Sequence, residues 1–216
     1  VKPYEVNPGE TERVLEEQVV RLAKVVEQGR DFTDDFVDAL DKIGSVPRSG
    51  ERKPLVGVVG EIYVRCNAFS NDRVIESVER YGGEAWLAPL SEWFLYTTYI
   101  QKWRAKEDLR GLVFRGQSLI KNKYITSVEH DLYKKAGKWM KDMREPDIEA
   151  VVKAGEKYLP LNFEGEAILT VGRTVKFIED GAALVVNCAP FGCMPGTISS
   201  ALFQEIQNRT GVPVVS

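Results

Sequence analysis

One stretch near the carboxyl end of the chain constrains the fold most, because a strand, a turn and a helix follow one another there. A short β-branched apolar run at residues 182–186 precedes a turn segment rich in Pro and Gly at 187–197, and an amphipathic run follows at 198–209. In a parallel α/β sheet such a turn lies at the carboxyl end of its strand, where ligands bind if the strand order reverses. Cys188 and Cys193 lie in this turn. They either bind a ligand or pack as small buried hydrophobes.

Further strands are indicated upstream and downstream of this stretch. Residues 55–60 are continuously apolar, which is typical of a strand buried on both faces of a parallel sheet. Residues 85–90 and 212–215 have the pattern of further strands, with helical patterns between them. The sequence therefore predicts an α/β fold, a small doubly wound (flavodoxin-like) parallel sheet of about four strands in the order 2-1-3-4, with right-handed crossovers.

Helical patterns surround this sheet. Residues 10–28 place five apolar side chains on one face of a helix, and a second helical pattern follows at 32–43. Those five residues are Val14, Leu15, Val19, Leu22 and Val26. We predict a helical lead-in and linker at 1–50 and an α/β domain at 51–216. A helical insertion is expected at about 91–160, with its aromatic residues in the core.

Composition excludes several classes of protein. The 216 residues are 44% hydrophobic, and no apolar run reaches the roughly 20 residues of a membrane span. No signal-peptide pattern opens the chain, so we expect a cytoplasmic protein that contacts no membrane. A formal charge of -3 argues against nucleic acid as a partner, and three cysteines argue against a disulfide framework. The chain begins at Val1, and we expect it to be a fragment of a longer polypeptide.

The predicted strand order brings two polar loops together. With the first and third strands adjacent, the loop that carries Tyr63, Arg65, Cys66 and Asn67 opens into the same crevice as the turn described above. The three thiols of Cys66, Cys188 and Cys193 could then bind an iron-sulfur cluster and leave one iron open to substrate, since thiolates suit this metal. Buried cysteines without a ligand remain the alternative.

An anion is the other ligand that this crevice could bind. Arg65 either clamps a phosphate or carboxylate or forms a salt bridge with Glu61 or Glu92. A helix predicted to start near Thr197 would present free N–H groups to the same crevice. Neither a dinucleotide nor an ATP motif is present, because the glycines of the first strand lack the required spacing and the Walker lysine.

Four sequence blocks resemble a known family. They are GEIYVRxNxFxN at 60–71, LAPLSEW at 87–93, GEAxLxVG at 165–172 and PFxCMPGT at 190–197. In this order they resemble the carboxyl-terminal region of large CoA-substrate-specific enzyme activases, which are related to the activators of 2-hydroxyacyl-CoA dehydratases. The resemblance covers residues 55–216 and extends to the cluster-binding dehydratase subunits and the double-cubane cluster proteins.

The resemblance implies a function in anaerobic metabolism. A domain of this family would take part in ATP-coupled, low-potential electron transfer through an iron-sulfur cluster, with Cys193 on the family's own motif and Cys188 and Cys66 as further ligands. Its partners would be ATPase domains of the same full-length protein, an acyl-CoA dehydratase and a second copy in a homodimer. The isolated fragment is expected to be inactive. Two alternatives stay open: a cluster-free docking domain of the same protein, or an anion-binding α/β domain in which Arg65, Asn67, Tyr63 and Thr197 line the site.

Overall fold

A computed structural model describes residues 1–104, 127–128, 130–139, 147–163 and 165–216. The chain forms two compact units: Val1–Arg52 with Ser127–Arg144, here the helical unit, and Lys53–Thr126 with Glu145–Ser216, here the sheet unit. The boundary after Arg52 lies close to the predicted one at residue 50. The described residues 127–128 and 130–139, which the sequence analysis places in the insertion of the α/β domain, group instead with the helical unit. Residues 105–126, 129 and 140–146 of that insertion lie outside the described part of the chain.

The helical unit contains the two helices that the sequence predicts in the lead-in. Helix α1 is Glu10–Glu27 and helix α2 is Thr33–Gly44. The guanidinium of Arg21 on α1 binds two carboxylates of α2, that of Asp35 at 2.6 Å and that of Asp38. These ion pairs fix which side of α1 faces α2.

The sheet unit contains the predicted parallel sheet. Its strands are β1 (Leu55–Gly60), β2 (Glu84–Leu87), β3 (Leu184–Cys188) and β4 (Val214–Val215). All three pairings are parallel and the order is β2-β1-β3-β4, which confirms the predicted order. Strand β1 has the predicted bounds, because an uninterrupted apolar run can be buried on both faces.

Helices connect and cover these strands. They are α3 (Ile62–Cys66), α4 (Val74–Arg80), α5 (Ser91–Arg104), α6 (Ile148–Glu156), α7 (Ala167–Glu179) and α8 (Met194–Thr210). The prediction of a continuous loop at 61–71 is wrong at its start, where α3 forms. The carboxylate of Glu61 accepts hydrogen bonds from the backbone N–H groups of Tyr63 and Val64, and this cap stabilises the short helix.

The sheet is covered on both faces. Gly57 of β1 lies against the ring of Phe177 on α7, which leaves no room for a side chain. The side chains of its neighbour Val56 and of Val78 on α4 both lie beside Gly83. Since successive strand residues point to opposite faces, α7 and α4 lie on opposite sides of β1. This is the doubly wound arrangement, in which the strand order reverses between β1 and β3.

Candidate functional site

The carboxyl ends of β1 and β3 lie side by side, as predicted. Gly60, the last residue of β1, is paired with Cys188, the last residue of β3, and the N–H of Glu61 donates to the Cys188 carbonyl at 2.8 Å. Gly60 has a φ of 118°, and a Cβ there would collide with the same carbonyl oxygen. Glycine is therefore required at position 60, where β1 and β3 end side by side. We call the segments that follow, 61–67 and 189–193, the switch-point loops.

Tyr63 and Asn67 lie on the exposed side of the first switch-point loop. The Asn67 side-chain amide donates to the Tyr63 hydroxyl at 3.2 Å, and its carbonyl oxygen accepts from the N–H of Ser70 at 3.0 Å. Tyr63 is exposed over 65% of its surface. The two predicted ligand-binding side chains are thus neighbours that reach solvent.

Arg65 points the other way and is 2% exposed. One Nη donates to the carbonyl oxygen of Gly60 at 3.0 Å and the other to that of Pro89 at 3.1 Å. The guanidinium therefore ties the end of β1 to the segment that follows β2. Within the described residues its Nε has no hydrogen-bond partner.

The predicted salt bridge of Arg65 is wrong for both candidate partners. The carboxylate of Glu61 is used as the cap of α3. Glu92, at the start of α5, is buried and pairs with Arg173 of α7 at 2.6 Å. Backbone carbonyl oxygens replace a carboxylate as the partners of Arg65.

Asn71 is a residue whose role at this site the sequence reveals only in part. By sequence, Asn71 or Ser70 could cap the helical pattern that begins at Val74, and the side-chain oxygen of Asn71 does accept from the N–H of Val74 at 3.2 Å. Its amide also donates to the carbonyls of Val64 and Arg65, at 3.0 and 2.9 Å. One side chain therefore closes the end of α3 and starts α4.

The three cysteines occupy three different environments. Cys66 is the exposed last residue of α3, and Cys193 is the half-buried residue that precedes α8. Cys188 is buried at the end of β3. Burial raises the pKa of the Cys188 thiol, and the nearby charge of Arg65 opposes this with a smaller effect. The protonated, non-ligating form of Cys188 is therefore favoured.

Cys66, Cys188 and Cys193, the predicted cluster ligands, differ in exposure and in the element to which each belongs. In the described ranges, which include all three cysteines, no group of three or more His, Cys, Asp or Glu side chains is arranged to hold a metal ion. One thiol lies in the interior, one ends a helix at the surface, and one precedes a different helix. Among the three, Cys193 is the half-buried one.

Helix α8 begins earlier than predicted. Its first residue is Met194, and the Thr197 hydroxyl, predicted to face a ligand at the helix start, donates to the Cys193 carbonyl at 2.9 Å. The helix can begin there because Pro195 occupies its first turn without leaving an unsatisfied N–H. The Thr197 hydroxyl is therefore used in a hydrogen bond within the first turn of the helix.

A second group of polar contacts lies beside the start of α8 and was not predicted as part of a site. The indole N–H of Trp93 donates to the Glu166 carboxylate at 2.5 Å, and the Tyr96 hydroxyl donates to the Gly165 carbonyl at 2.7 Å. A Cβ on Gly165 would lie 3.8 Å from the ring of Pro195. Burial, followed by the charge of Glu166, raises the pKa of Tyr96 to about 12. Both aromatic residues belong to the predicted aromatic stretch, but that stretch gave no sign of these hydrogen bonds.

Apolar side chains also project from the switch-point loops and their borders. Phe69, Phe191 and Met194 are all exposed. Single exposed apolar residues are common on protein surfaces, but these three follow the ends of two adjacent strands. The site therefore combines exposed apolar side chains with the buried guanidinium of Arg65.

Comparisons with known proteins give no relative: no family model, no curated protein and no solved structure matches this chain. Among the helices that the structure describes, none is both long and apolar enough to cross a membrane.

Proposed function

We propose that this chain is the dehydratase-like domain of a larger CoA-substrate-specific enzyme activase, and that it takes part in ATP-coupled, low-potential electron transfer in the cytoplasm. One observation supports the proposal above the others. The two most distinctive blocks of the resemblance, at 60–71 and 190–197, are more than a hundred residues apart in sequence, yet they follow strands whose last residues, Gly60 and Cys188, are paired. A binding site shared by the two blocks would account for that placement.

Cys193 is the one cysteine of this chain that we propose as a ligand of an iron-sulfur cluster. Because Cys66 and Cys188 do not join it in a metal-binding group, we propose that Cys193 supplies one thiolate and that the remaining thiolates come from a second copy or from another part of the longer protein. The ATPase domains of that protein and an acyl-CoA dehydratase are the proposed partners in electron transfer. When bound, the cluster would supply the low-potential redox chemistry.

Anaerobic reconstitution with iron and sulfide tests the redox part of this proposal. We expect the chain to bind iron and to develop the visible charge-transfer absorption of a cluster, and we expect Cys193→Ser to lose both. Cys66→Ser is the matched control, since it removes an exposed thiol that lies outside the proposed ligand set. Equal iron in the Cys193→Ser variant would reject Cys193 as a ligand, and absence of iron from the reconstituted parent chain would reject cluster binding by this chain alone.

A cluster-free docking domain is the second candidate, and the exposed apolar side chains favour it. Phe69, Phe191 and Met194 would be covered if the ATPase domains bound this edge of the sheet. Titration of the chain with purified ATPase domains, followed by calorimetry, should then give weaker binding for Phe191→Ser. Phe163→Ser is a matched control, because Phe163 is also exposed but follows neither β1 nor β3.

Anion binding by Arg65 receives less support. Both terminal nitrogens of its guanidinium already donate to backbone carbonyls, and the side chain is almost fully buried. Melting temperatures measured with and without CoA, phosphate and simple carboxylates test this reading. A rise in melting temperature with one of these anions that is lost in the Arg65→Met variant would support anion binding at Arg65.

A further inference from the structure

The short segment at 165–166 is held by two side chains of α5. The Trp93 indole N–H donates to the Glu166 carboxylate, and the Tyr96 hydroxyl donates to the Gly165 carbonyl at 2.7 Å. Trp93 and Tyr96 are three positions apart on α5 and therefore lie on the same face of that helix. Helix α5 thus fixes the carboxylate of one residue and the backbone of its neighbour.

The start of α8 lies against this segment. A Cβ on Gly165 would lie 3.8 Å from the ring of Pro195, the second residue of α8. Ile198, which follows in the next turn of α8, packs against the buried cluster that includes Tyr96. The beginning of α8 is therefore placed by α5 and by the segment that α5 holds.

Cys193 is tied to this beginning of α8 by its backbone and by its side chain. Its N–H donates to the Pro190 carbonyl at 3.1 Å, and its own carbonyl accepts from the N–H and the hydroxyl of Thr197, both at 2.9 Å. A Cβ on Gly196 would lie 3.6 Å from the Cys193 sulfur. Since the thiol lies against the first turn of α8, a shift of that turn moves the thiol with it.

The hydrogen bond between Trp93 and Glu166 can be removed without opening the core. Both side chains are half-buried, whereas Tyr96 is buried. A Glu166 carboxylate that loses the indole can turn to water, so no buried polar group is left without a partner. Phenylalanine at position 93 would keep an aromatic ring beside Phe94, whose ring centroid lies 5.2 Å from that of Trp93.

We infer that Trp93 is a positioning residue for Cys193. By binding Glu166 it fixes the segment against which α8 begins, and so it holds the half-buried thiol in place. Release of this bond lets the start of α8 shift and exposes the thiol further. The placement of the thiol is independent of the proposed function, whereas its use as a cluster ligand rests on that function.

Alkylation of the full chain by iodoacetamide, followed by peptide mass spectrometry, tests this placement. The exposed Cys66 of the same chain is the internal reference. Trp93→Phe and Glu166→Leu each remove the bond, and each should raise the rate at Cys193 relative to Cys66 by at least about 3-fold. Glu166→Gln removes the charge but keeps an oxygen that accepts from the indole, so its rate ratio should stay within about 1.5-fold of the parent.

A second control separates positioning from a general loss of stability. Gly211→Ala strains the other end of α8 and leaves the bond between Trp93 and Glu166 intact, so the rate ratio should not change. Circular dichroism and melting curves verify that all four variants fold. An unchanged ratio in Trp93→Phe and Glu166→Leu would overturn the inference, as would an equal rise in Glu166→Gln or in Gly211→Ala.

Anaerobic reconstitution with iron and sulfide extends the test to the proposed ligand. Trp93→Phe should bind iron at least about 10-fold more weakly than the parent, because it releases the support of a ligand, and Glu166→Gln should match the parent. Parent affinity in Trp93→Phe would reject a role for Trp93 in ligation. A parent chain that binds no iron would reject cluster binding by this chain alone, and the alkylation rates would still decide the positioning of Cys193.

Discussion

Replacement of Arg173 by Met removes one half of the buried ion pair that joins α7 to α5. Arg173 and Glu92 are 1% and 4% exposed at their side chains, and their charged atoms are 2.6 Å apart. In the variant the Glu92 carboxylate remains in the interior after losing this cation. Removal of one partner of such a pair costs about 3–5 kcal/mol, a large part of an unfolding free energy of about 5–15 kcal/mol. Loss of the contact between Arg173 and the Phe177 ring, at 5.2 Å, adds to the cost.

The expected change is measurable by heat and by denaturant. For a unit of this size, about 3–5 kcal/mol corresponds to a fall of about 6–20 °C in melting temperature. Lys153→Met on α6 is the matched control, because it removes an exposed Lys-Glu pair and should leave the melting temperature within about 2 °C of the parent. Circular dichroism in urea gives the free energy of unfolding for each variant.

The double variant Glu92→Leu with Arg173→Met decides between pairing and packing as the source of the effect. With both charges removed, no buried carboxylate or guanidinium is left without its partner in this pair, and the double variant should be more stable than the sum of the single changes by about 2 kcal/mol or more. Additive single effects would show that the two side chains do not stabilise each other. A loss below about 1 kcal/mol for Arg173→Met alone would refute the reasoning as well.

Three further predictions concern the site. Iodoacetamide should modify Cys66 at least about 10-fold faster than Cys188 at pH 8, since burial both hides the Cys188 thiol and raises its pKa, as peptide mass spectrometry would measure. The pKa of Tyr96 is about 12 in the folded chain, above the usual value near 10. The stability that the protonated Tyr96 hydroxyl contributes is therefore complete below pH 10 and is lost as the pH rises toward 12. Between pH 10 and 12 the melting temperature of the parent should fall faster than that of Tyr96→Phe. In urea titrations, Gly60→Ala should lower the free energy of unfolding by about 2–3 kcal/mol or more, and Gly211→Ala should lower it by about 1 kcal/mol. Both glycines have a positive φ, but only Gly60 lies against a neighbouring carbonyl. Equal losses for the two glycine variants would contradict that explanation.

The sequence predicted the sheet well because its strands follow from a one-dimensional pattern. The run at 55–60 is apolar at every position, and only a strand buried on both faces accommodates such a run over so short a length. The order 2-1-3-4 was predicted because strands that alternate with helices are typical of a small doubly wound sheet. Adjacent ends for β1 and β3 then follow without further information.

Side-chain direction at the site was less predictable. Tyr63, Arg65 and Asn67 were expected to line one crevice, but α3 rotates successive residues by about 100° and sends Arg65 inward while Tyr63 and Asn67 face solvent. The helix itself depends on the Glu61 cap, a contact between neighbouring residues that a loop prediction ignores. Five apolar residues of α1 were predicted to share one face of the helix, and three of them, Leu15, Val19 and Val26, are exposed.

The buried guanidinium of Arg65 is best explained as part of the fold in this conformation. It has no salt-bridge partner among the described residues, so its charge is balanced only by the dipoles of the Gly60 and Pro89 carbonyls. One carbonyl ends β1 and the other lies in the segment that follows β2, and the two bonds hold these parts of the chain together. An anion in solution does not reach Arg65 in this conformation, since only 2% of the residue is exposed. The nearby Cys188 thiol does experience the charge, but the effect of burial on its pKa is larger. The groups at this edge of the sheet that solvent reaches, among them Tyr63, Asn67 and Cys193, are therefore the ones that remain accessible to a ligand.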